Sequence, residues 1–277
     1  MKIHHLNCGT LCPICAQLLN GTGGFFARGE LVCHCLLVES EDGLVLIDTG
    51  IGQHDIDHPR RLGAFFDLLS GPVYKPQETA IAQVKALGFQ PSDVRHIIPT
   101  HLDLDHAGGL ADFPHAKVHV HKRELDAALS RKNKQRYIPR QLAHDVQWES
   151  YEDAGEDWFG FEAIHALRGL PPEFLMIPTF GHSQGHCSVA LKRGEDWLLH
   201  CGDAYFHRAQ IYPERGKVPF GIKLFESSVQ WKKSMRIENA KRLQHLAHTH
   251  QDDVTLICAH DPVDFQGCLP TIETATE

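Results

Sequence analysis

The amino-acid sequence predicts an α/β fold with a layered sheet and one large core. Short apolar runs bounded by glycine-containing turns predict β-strands, and two longer stretches carry apolar residues at helical spacing. Polar clusters follow several predicted strands, as in open α/β folds that keep ligands at one edge of the sheet. The chain has 277 residues, 42% of them hydrophobic and 22% charged, so it is long enough to bury a sizeable core.

A β-hairpin is the first predicted element. Residues 31–39 and 44–47 form apolar runs separated by a glycine turn at residues 41–43, which fits a hairpin loop. The second strand runs directly into an Asp-Thr-Gly sequence at residues 48–50. Residues 51–76 mix His, Pro and Gly around one apolar run, so an irregular or inserted segment is predicted there.

One helix and two further strands complete the first half. Residues 77–87 carry apolar side chains at helical spacing between a proline and a glycine, which are start and stop signals. Residues 94–98 and 116–120 are predicted as strands. The basic stretch 122–140 is interpreted as a solvated helix face without a chemical role.

The second half repeats the pattern of strands followed by polar residues. Its predicted strands are residues 174–177, 187–191, 197–201 and 254–258. A long helix is predicted from residue 228 to about residue 250, because apolar residues recur on one of its faces.

Four polar clusters follow or flank these strands and are expected to converge at one sheet edge. They contain imidazoles and carboxylates, the ligand mixture of binuclear zinc, iron or manganese centres. The alternative, an exposed loop without metal, would have to arise in four segments at once. The 21 histidines of the chain also exceed what packing requires. The candidate metal ligands are His101, Asp103, Asp105, His106, His182, Asp203 and His260.

Charge and hydropathy exclude several classes of protein. The formal net charge is −8 and no long basic block occurs, which argues against a nucleic-acid partner. The apolar runs are too short to cross a bilayer, and the N-terminus lacks a secretory apolar core, so we expect a cytoplasmic protein without a membrane partner.

Cysteine usage indicates reduced thiols. The number of cysteines, nine, is odd, and the chain is long. Cys12 and Cys15 form a Cys-x-x-Cys pair without a second pair nearby, so we interpret them as buried structural thiols. Cys33 and Cys35 alternate along a predicted strand and are expected in the core.

The chain resembles the metallo-β-lactamase superfamily in motifs that lie between residues 48 and 261. These motifs are His-x-Asp-x-Asp-His-x-Gly-Gly from residue 101, Gly-His-Ser-x-Gly-His from residue 181, Gly-Asp-Ala from residue 202, and the late His260. The resemblance implies a four-layered αβ/βα sandwich. It also implies a single domain over residues 1–277, with two βα halves of about 1–135 and 136–277.

The resemblance further implies that the ligands are divided between two divalent ions. Zinc is favoured, with iron or manganese as alternatives. By position, His101 and His182 hold the first ion, Asp105, His106 and His260 hold the second, and Asp203 bridges both.

We make separate predictions for three further residues in or near the motifs. Asp103 stands where the family pattern usually has a second histidine, and an extended segment projects residues 101 and 103 to the same side. We therefore expect Asp103 to bind the first ion, which makes that position harder and more suited to iron or manganese. Asp48 matches a family position that supports the site, and His186 is expected to hydrogen-bond near the ligands rather than bind metal.

The expected activity is hydrolysis by a hydroxide shared between two ions about 3.5 to 4 Å apart. Asp105 would carry a proton to the leaving group. The chain is most similar to stand-alone members such as the N-acyl-homoserine lactonases, so the expected partner is a small-molecule substrate, first of all a lactone. Those enzymes carry a tyrosine three positions after the bridging aspartate, where this chain has Phe206. Tyr205 is a candidate to orient the substrate carbonyl, and equally a candidate for an ordinary wall residue.

Other functions remain open from the sequence alone. A thioester or phosphodiester could replace the lactone, whereas a β-lactam is disfavoured without an export signal. The carboxylate of Asp103 also suggests a di-iron redox protein, although the chain has no room for a flavin domain. A catalytically silent metal-binding module is a third alternative. Aromatic residues in segments 51–76 and 205–227 could wall an acyl pocket, anchor long loops or form a homodimer contact.

Overall fold

Two β-sheets lie face to face, and each is covered on its outer side by helices. The computed structural model describes residues 1–130, 136–152, 155–164 and 167–270. No helix in these ranges has the length and apolar character needed to cross a membrane.

The strands of the described chain are numbered in chain order. They are β1 (Lys2–Leu11), β2 (Leu31–Ser40), β3 (Gly43–Ile47), β4 (Pro72–Val73), β5 (Val94–Ile98), β6 (Lys117–His121), β7 (Gln147–Tyr151), β8 (Glu156–Trp158), β9 (Phe161–Ala163), β10 (Phe174–Pro178), β11 (Cys187–Arg193), β12 (Asp196–His200) and β13 (Val254–Ile257).

The α-helices are numbered in the same way, and short 3-10 turns connect several elements. The α-helices are α1 (Ala16–Leu19), α2 (Gln53–Asp57), α3 (Ala64–Ser70), α4 (Ala80–Ala86), α5 (Lys122–Leu129), α6 (Phe220–Val229), α7 (Lys233–Thr249) and α8 (Pro262–Cys268). The 3-10 turns are Pro59–Leu62, Pro76–Glu78, Pro91–Asp93, Leu110–Asp112, Arg208–Gln210 and Pro213–Arg215.

The first sheet has the order β4-β1-β2-β3-β5-β6-β7 and the second the order β10-β11-β12-β13, with β8 and β9 as a separate hairpin. Strand β5 pairs in parallel with both β3 and β6, and β6 pairs in parallel with β7. In the second sheet, β12 and β13 are parallel. Parallel neighbours end at the same edge of a sheet, and loops at that edge are the usual place for a ligand site.

Strict alternation of side chains divides the apolar residues between two sides of the first sheet. In β3, Val45 and Ile47 face the second sheet, whereas Leu44 and Leu46 belong to the core under the outer helices. A period of two is what a strand requires. The strand is apolar at both sets of positions because both faces of the sheet are covered.

Three cores define four layers. The first sheet packs on Ala80, Val84, Ala127 and Ala128 of α4 and α5. The central core joins the two sheets, and the third core places the second sheet against α7. The expected four-layered sandwich is therefore confirmed.

Strand β1 is not predicted from the sequence. It pairs with β2 along most of its length but touches β4 only at Thr10 and Leu11, so much of it is a sheet edge. An edge strand tolerates polar side chains, and His4 and His5 hydrogen-bond to Glu39 and His34. These polar residues hide the apolar pattern that predicts a strand.

Several predicted boundaries also differ from the structure. Segment 51–76 contains α2, α3 and β4 rather than only irregular chain, and β7 extends the first sheet past the expected division near residue 135. The expected helix from residue 228 is broken: α6 ends at Val229 and α7 begins at Lys233. The break occurs because Trp231 and Lys232 donate their backbone N–H groups to the carbonyls of residues 182 and 181.

The basic stretch 122–140 is not one solvated helix. Helix α5 ends at Leu129, and Arg131, Lys132 and Lys134 lie outside the described residues. The side chain of Arg136 is 12% exposed and forms an ion pair with Asp103. The interpretation of this stretch as a solvated face is therefore wrong for Arg136.

A chain of buried polar rings crosses β5, β6 and β7. The Nδ1 atom of His96 lies 2.8 Å from Nε2 of His119, whose Nδ1 lies 2.8 Å from the hydroxyl of Tyr151. Burial, reinforced by the neighbouring charges of His96 and Lys117, lowers the pKa of His119 to about 3.

This pKa makes stability dependent on pH. Between about pH 3 and pH 6.5 the unfolded chain binds a proton at His119 that the folded chain does not, so stability present above pH 6.5 is lost as the pH falls. At pH 5 the loss from this group is about 2 kcal/mol. We expect His119→Gln, which cannot titrate, to lose about 2 kcal/mol less than the wild type between pH 7.5 and pH 5.

Urea unfolding at the two pH values measures this difference. His248→Gln, on the exposed side of α7, is the control and should follow the wild type. An unchanged pH dependence in His119→Gln would contradict the assignment.

Candidate active site

Strand ends position the candidate ligands at one edge of the sandwich. In the first sheet, Asp48 follows β3 and His101 comes shortly after β5. In the second sheet, Asp203 and His260 follow β12 and β13 in the same way, and His182 lies in the connection from β10 to β11. Parallel pairing brings the polar clusters together, as the sequence predicted.

The second ligand group consists of Asp105, His106, Asp203 and His260. The Oδ1 atom of Asp203 lies 3.3 Å from Nε2 of His106 and 3.1 Å from Nε2 of His260. The carboxylate of Asp105 lies 3.7 Å from Nε2 of His260 and 4.0 Å from Nε2 of His106. Donor atoms this close can bind one ion.

The first ligand group consists of His101, Asp103, His182 and Asp203. The other carboxylate oxygen of Asp203, Oδ2, lies 3.4 Å from Nε2 of His182 and 3.9 Å from Nε2 of His101. The Oδ2 atom of Asp103 lies 3.0 Å from His182 Nε2 and 3.3 Å from His101 Nε2. Asp203 thus directs one oxygen to each group, the geometry of a bridging ligand.

Buried polar atoms in this cluster have no hydrogen-bond partner within the described ranges. They are Nε2 of His101, Oδ1 of Asp103, Nε2 of His106, Nδ1 of His182 and Oδ1 of Asp203. An orphaned buried donor or acceptor is costly, and a metal ion is one partner that an imidazole nitrogen or a carboxylate oxygen accepts. The residues present therefore fit a divalent ion in either group.

The charge of the cluster suits a cation. Burial opposes ionisation of Asp203, but the charges on His260, His106 and His182 outweigh burial and hold the pKa of this carboxyl well below its usual value. The carboxylate is therefore anionic although only 4% of its residue is exposed.

Hydrogen bonds from the far side of each ring orient the imidazoles. His106 donates from Nδ1 to Asp48 at 2.9 Å, and His260 donates from Nδ1 to the Val32 carbonyl at 2.7 Å. The Nδ1 atom of His101 lies 3.0 Å from the Thr100 hydroxyl, which itself donates to Asp48. These bonds fix the tautomer in which Nε2 is free to bind metal.

His186 positions the backbone of Asp203 from outside the cluster. Its Nε2 accepts the backbone N–H of Asp203 at 3.0 Å, and its Nδ1 lies 3.0 Å from the Thr179 hydroxyl. Gly202 has a φ of 52°, and a Cβ there would lie 2.7 Å from Thr100 and 2.8 Å from His186. Glycine is therefore required immediately before Asp203.

Glu124, absent from the sequence predictions, connects the two ligand loops. Its Oε1 accepts the backbone N–H of Leu102 at 3.0 Å, between two candidate ligands. Its Oε2 accepts the Ser183 hydroxyl at 2.7 Å and the Gly185 N–H at 2.9 Å. The side chain is fully buried. Its place directly after β6 is the same signal that identified the other clusters.

Tyr205 does not reach the cluster. Its side chain is fully buried with Leu243 and Leu256 in the core between the second sheet and α7, and its hydroxyl has no hydrogen-bond partner in the described chain. Burial raises the pKa of this phenol well above its usual value. The expectation that Tyr205 orients a substrate carbonyl is corrected accordingly.

Phe206 lines the cluster instead. Its ring stacks on His260 with centroids 5.3 Å apart and planes 9° apart, and it lies 5.7 Å from the ring of His182. Phe225 contacts Phe206 edge-on at 5.4 Å. Consecutive residues in the turn after β12 thus lie in different surroundings, Tyr205 in the core and Phe206 beside the cluster.

Cys33 lies beside the second ligand group. Its Sγ, a carboxylate oxygen of Asp105 and a ring nitrogen of His260 are all within 4.8 Å of one another. Burial raises the pKa of the Cys33 thiol well above its usual value, so it is an uncharged neighbour. Both Cys33 and Cys35 are buried, as expected from the sequence.

Comparison with known proteins identifies the family. Residues 28–252 match the family model described as the Metallo-beta-lactamase superfamily. The chain belongs to this superfamily, whose members bind divalent metals. The predicted resemblance and the predicted class, a metal-dependent hydrolase, are both confirmed.

Two relatives and one solved structure are similar over most of their length. A probable metallo-hydrolase of Mycobacterium bovis is 39% identical over 96% of this chain and 82% of its own. An N-acyl homoserine lactonase of Bacillus cereus is 25% identical over 84% of this chain and 83% of its own. The structure of an N-acyl homoserine lactone hydrolase, with N-hexanoyl-L-homoserine at its catalytic metal centre, has a TM-score of 0.72 and 22% identity, and covers 98% of this chain and 97% of that one.

Removing the shared carboxylate tests the bridge. We expect Asp203→Asn to lower metal affinity at both ligand groups by at least about tenfold, because only Asp203 faces both. Elemental analysis after dialysis, together with chelator competition, measures the loss. Asp112→Asn is the control, since this carboxylate lies outside the cluster and accepts the Gln53 N–H. Unchanged metal content in Asp203→Asn would show that Asp203 does not bridge.

The role of Glu124 is tested with the amide of the same shape. In Glu124→Gln, an NH₂ group must face an N–H or O–H donor, so we expect about 1–3 kcal/mol less stability and roughly 10–100-fold weaker metal binding. Glu149→Gln, which removes an exposed ion pair with Arg168, is the matched control and should change neither quantity appreciably. If Glu124→Gln binds metal like the wild type, the hydrogen bonds of Glu124 do not position the candidate ligands.

Proposed function

We propose that the chain hydrolyses a carboxylic ester, most specifically a lactone with an acyl tail such as an N-acyl-homoserine lactone. The observation that carries this proposal is the apolar face of Phe206 stacked directly on His260. A polar centre bounded by an aromatic wall suits a substrate that combines a reactive carbonyl with an apolar tail.

The proposed centre has two metal positions that share Asp203, with zinc as the first metal to test. A bound ion of this kind lowers the pKa of its water to about 7 and polarises a carbonyl. His101 and His182 serve the first position, and His106 and His260 serve the second, each through a ring nitrogen that faces Asp203.

Asp105 is the proposed proton carrier. Its side chain is 15% exposed, compared with 5% for Asp203, so it can reach a bound substrate. The carboxylate lies beside His106 and His260, and it would take up the proton released by the attacking water and pass it to the leaving oxygen of the ester. Tyr205 is not part of this proposal.

An apolar cluster supplies the proposed wall of the acyl pocket. Phe206, Leu104 and Ile51 form its buried part, and Phe66 and Phe225 pack against them. All of these residues except Leu104 come from segments 51–76 and 205–227, for which pocket walls were one of the expectations. Phe65 and Phe220 of the same segments are instead exposed.

The relatives support the lactone class without deciding it. The Bacillus cereus protein is a lactonase, and the similar solved structure contains a hydrolysed homoserine lactone product. The mycobacterial relative, which is more similar in sequence, is named only as a probable metallo-hydrolase. Thioesters and phosphodiesters are therefore the comparison substrates. The Asp103 carboxylate, which suggested a di-iron redox protein, forms an ion pair with Arg136.

A substrate panel tests the proposal. We expect the metal-loaded enzyme to open acyl-homoserine lactones and to prefer long acyl chains over short ones, because the wall is apolar. Phe206→Leu should raise KM for long-chain lactones and reduce this preference. Phe220→Leu, at a residue that is 68% exposed, is the control and should keep the preference.

The panel includes an acyl thioester and a phosphodiester under the same conditions. Cleavage of either of these without any lactone opening would replace the lactone while retaining the hydrolase. No turnover of any ester by metal-loaded protein would contradict the proposed function itself.

A further inference from the structure

The guanidinium of Arg136 is inserted into the first ligand group. Its Nε lies 2.8 Å from Oδ1 and 3.1 Å from Oδ2 of Asp103. Its Nη2 lies 3.0 Å from Nε2 of His182, the ring nitrogen that also faces Asp203. Arg136 therefore contacts two of the four residues of this group.

Two backbone carbonyls hold the guanidinium in place. Nη1 donates to the carbonyl of His182 at 2.8 Å, and Nη2 donates to the carbonyl of Val229, the last residue of α6, at 2.6 Å. A planar guanidinium with several directed hydrogen bonds is far more fixed than a flexible lysine would be.

We propose that Arg136 closes the first metal position, so that the second position fills first and an ion enters the first position only by displacing the guanidinium. This inference rests on the metal-binding part of the proposed function and not on the lactone substrate.

Competition for one lone pair is the first reason. A guanidinium can only donate, so its contact with His182 Nε2 is a hydrogen bond when that nitrogen is unprotonated. A metal ion binds imidazole through the same lone pair. If Nε2 instead carries the proton, it donates to Asp103, and the ion must displace that proton. In both tautomers Nε2 of His182 is already engaged in a hydrogen bond with another side chain of the protein, Arg136 or Asp103.

Charge balance is the second reason. The carboxylate of Asp103 is only 14% exposed, and its Oδ1 atom lies 2.8 Å from Nε of Arg136, whose side chain is 12% exposed. The carboxylate that replaces the usual histidine is therefore already neutralised by a fixed cation. A metal ion at the first position is therefore attracted less strongly by Asp103 than it would be by a carboxylate without a cationic partner.

The second position has no such competitor. Within the described ranges, neither Asp105 nor Asp203 forms an ion pair with a lysine or arginine, and their partners are imidazoles. The orphaned atoms Nε2 of His106 and Oδ1 of Asp203 both face this position. The first position also has orphaned atoms, Nε2 of His101 and Oδ1 of Asp103, but that oxygen lies 2.8 Å from Nε of Arg136. The two positions therefore differ in their readiness to bind metal.

Zinc titration of the metal-free protein against a chromophoric chelator tests the order of filling. We expect two separated phases of about one zinc each, with the second phase weaker by about tenfold or more, the scale of change that groups around a metal site produce. His260→Ala should abolish the tight phase, and His101→Ala should abolish the weak one. No substrate is present, so lactone turnover does not enter the result.

Removing the guanidinium should bring the zinc affinities of the two titration phases closer together. Arg136→Met is expected to tighten the weak phase by about tenfold or more while leaving the tight phase within about twofold. Arg136→Lys keeps the charge but not the planar fork, so it should tighten the weak phase less. Arg61→Met is the matched control, because Arg61 also lies near a buried aspartate, Asp55, and donates to a carbonyl away from this cluster.

The double variant Asp103→His/Arg136→Met removes both members of the pair and is expected to bind the second zinc most tightly. Asp103→His alone leaves a buried guanidinium without its anion and should not improve the weak phase. Circular dichroism and the unfolding midpoint identify any variant that fails to fold, and the wild-type titration decides without a variant whether the two ions bind with different affinities.

Two results would overturn the proposal. One is a wild-type protein that binds two zinc ions in a single phase of equal affinity. The other is a folded Arg136→Met protein whose weak phase is unchanged.

Discussion

The structure depends on one buried carboxylate that faces two ligand groups. Asp203 directs Oδ1 to His106 and His260 and Oδ2 to the imidazole of His182. The two sheets must therefore dock in a single register, because His106 belongs to the first sheet's loops and Asp203 follows a strand of the second. Gly202 and His186 fix the carboxylate from behind, and the inter-sheet core holds the two sets of loops together.

Local pattern was enough to predict which polar residues the structure brings together, but not the residues that act on them. Each candidate ligand lies in a short motif beside an apolar strand, so strand prediction and chemical type locate it together. The four layers were implied by family resemblance and are reproduced by three separate cores. Strand β1 and the break between α6 and α7 depend instead on pairing with distant chain. A propensity window contains neither partner, so such features require tertiary structure.

Arg136 and Tyr205 show two different physical limits of sequence reasoning. A buried aspartate at position 103 calls for a compensating cation, but charge balance alone cannot choose among the basic residues of the stretch 122–140. Tyr205 and Phe206 differ by one position, but Tyr205 lies in the core and the ring of Phe206 faces the cluster. The sequence supplied aromatic candidates in two segments, whereas the direction of the backbone determines which ring lies beside His260.

Glu124 has a consequence for protein engineering. Its two oxygens hold backbone N–H groups of both ligand loops, and no solvent reaches the carboxylate. The loops are therefore not interchangeable modules: one transplanted into a related scaffold without an acidic residue after β6 would bring buried donors with no acceptor. Loop exchange or directed recombination in this part of the chain has to transfer the loops and the start of α5 as one unit.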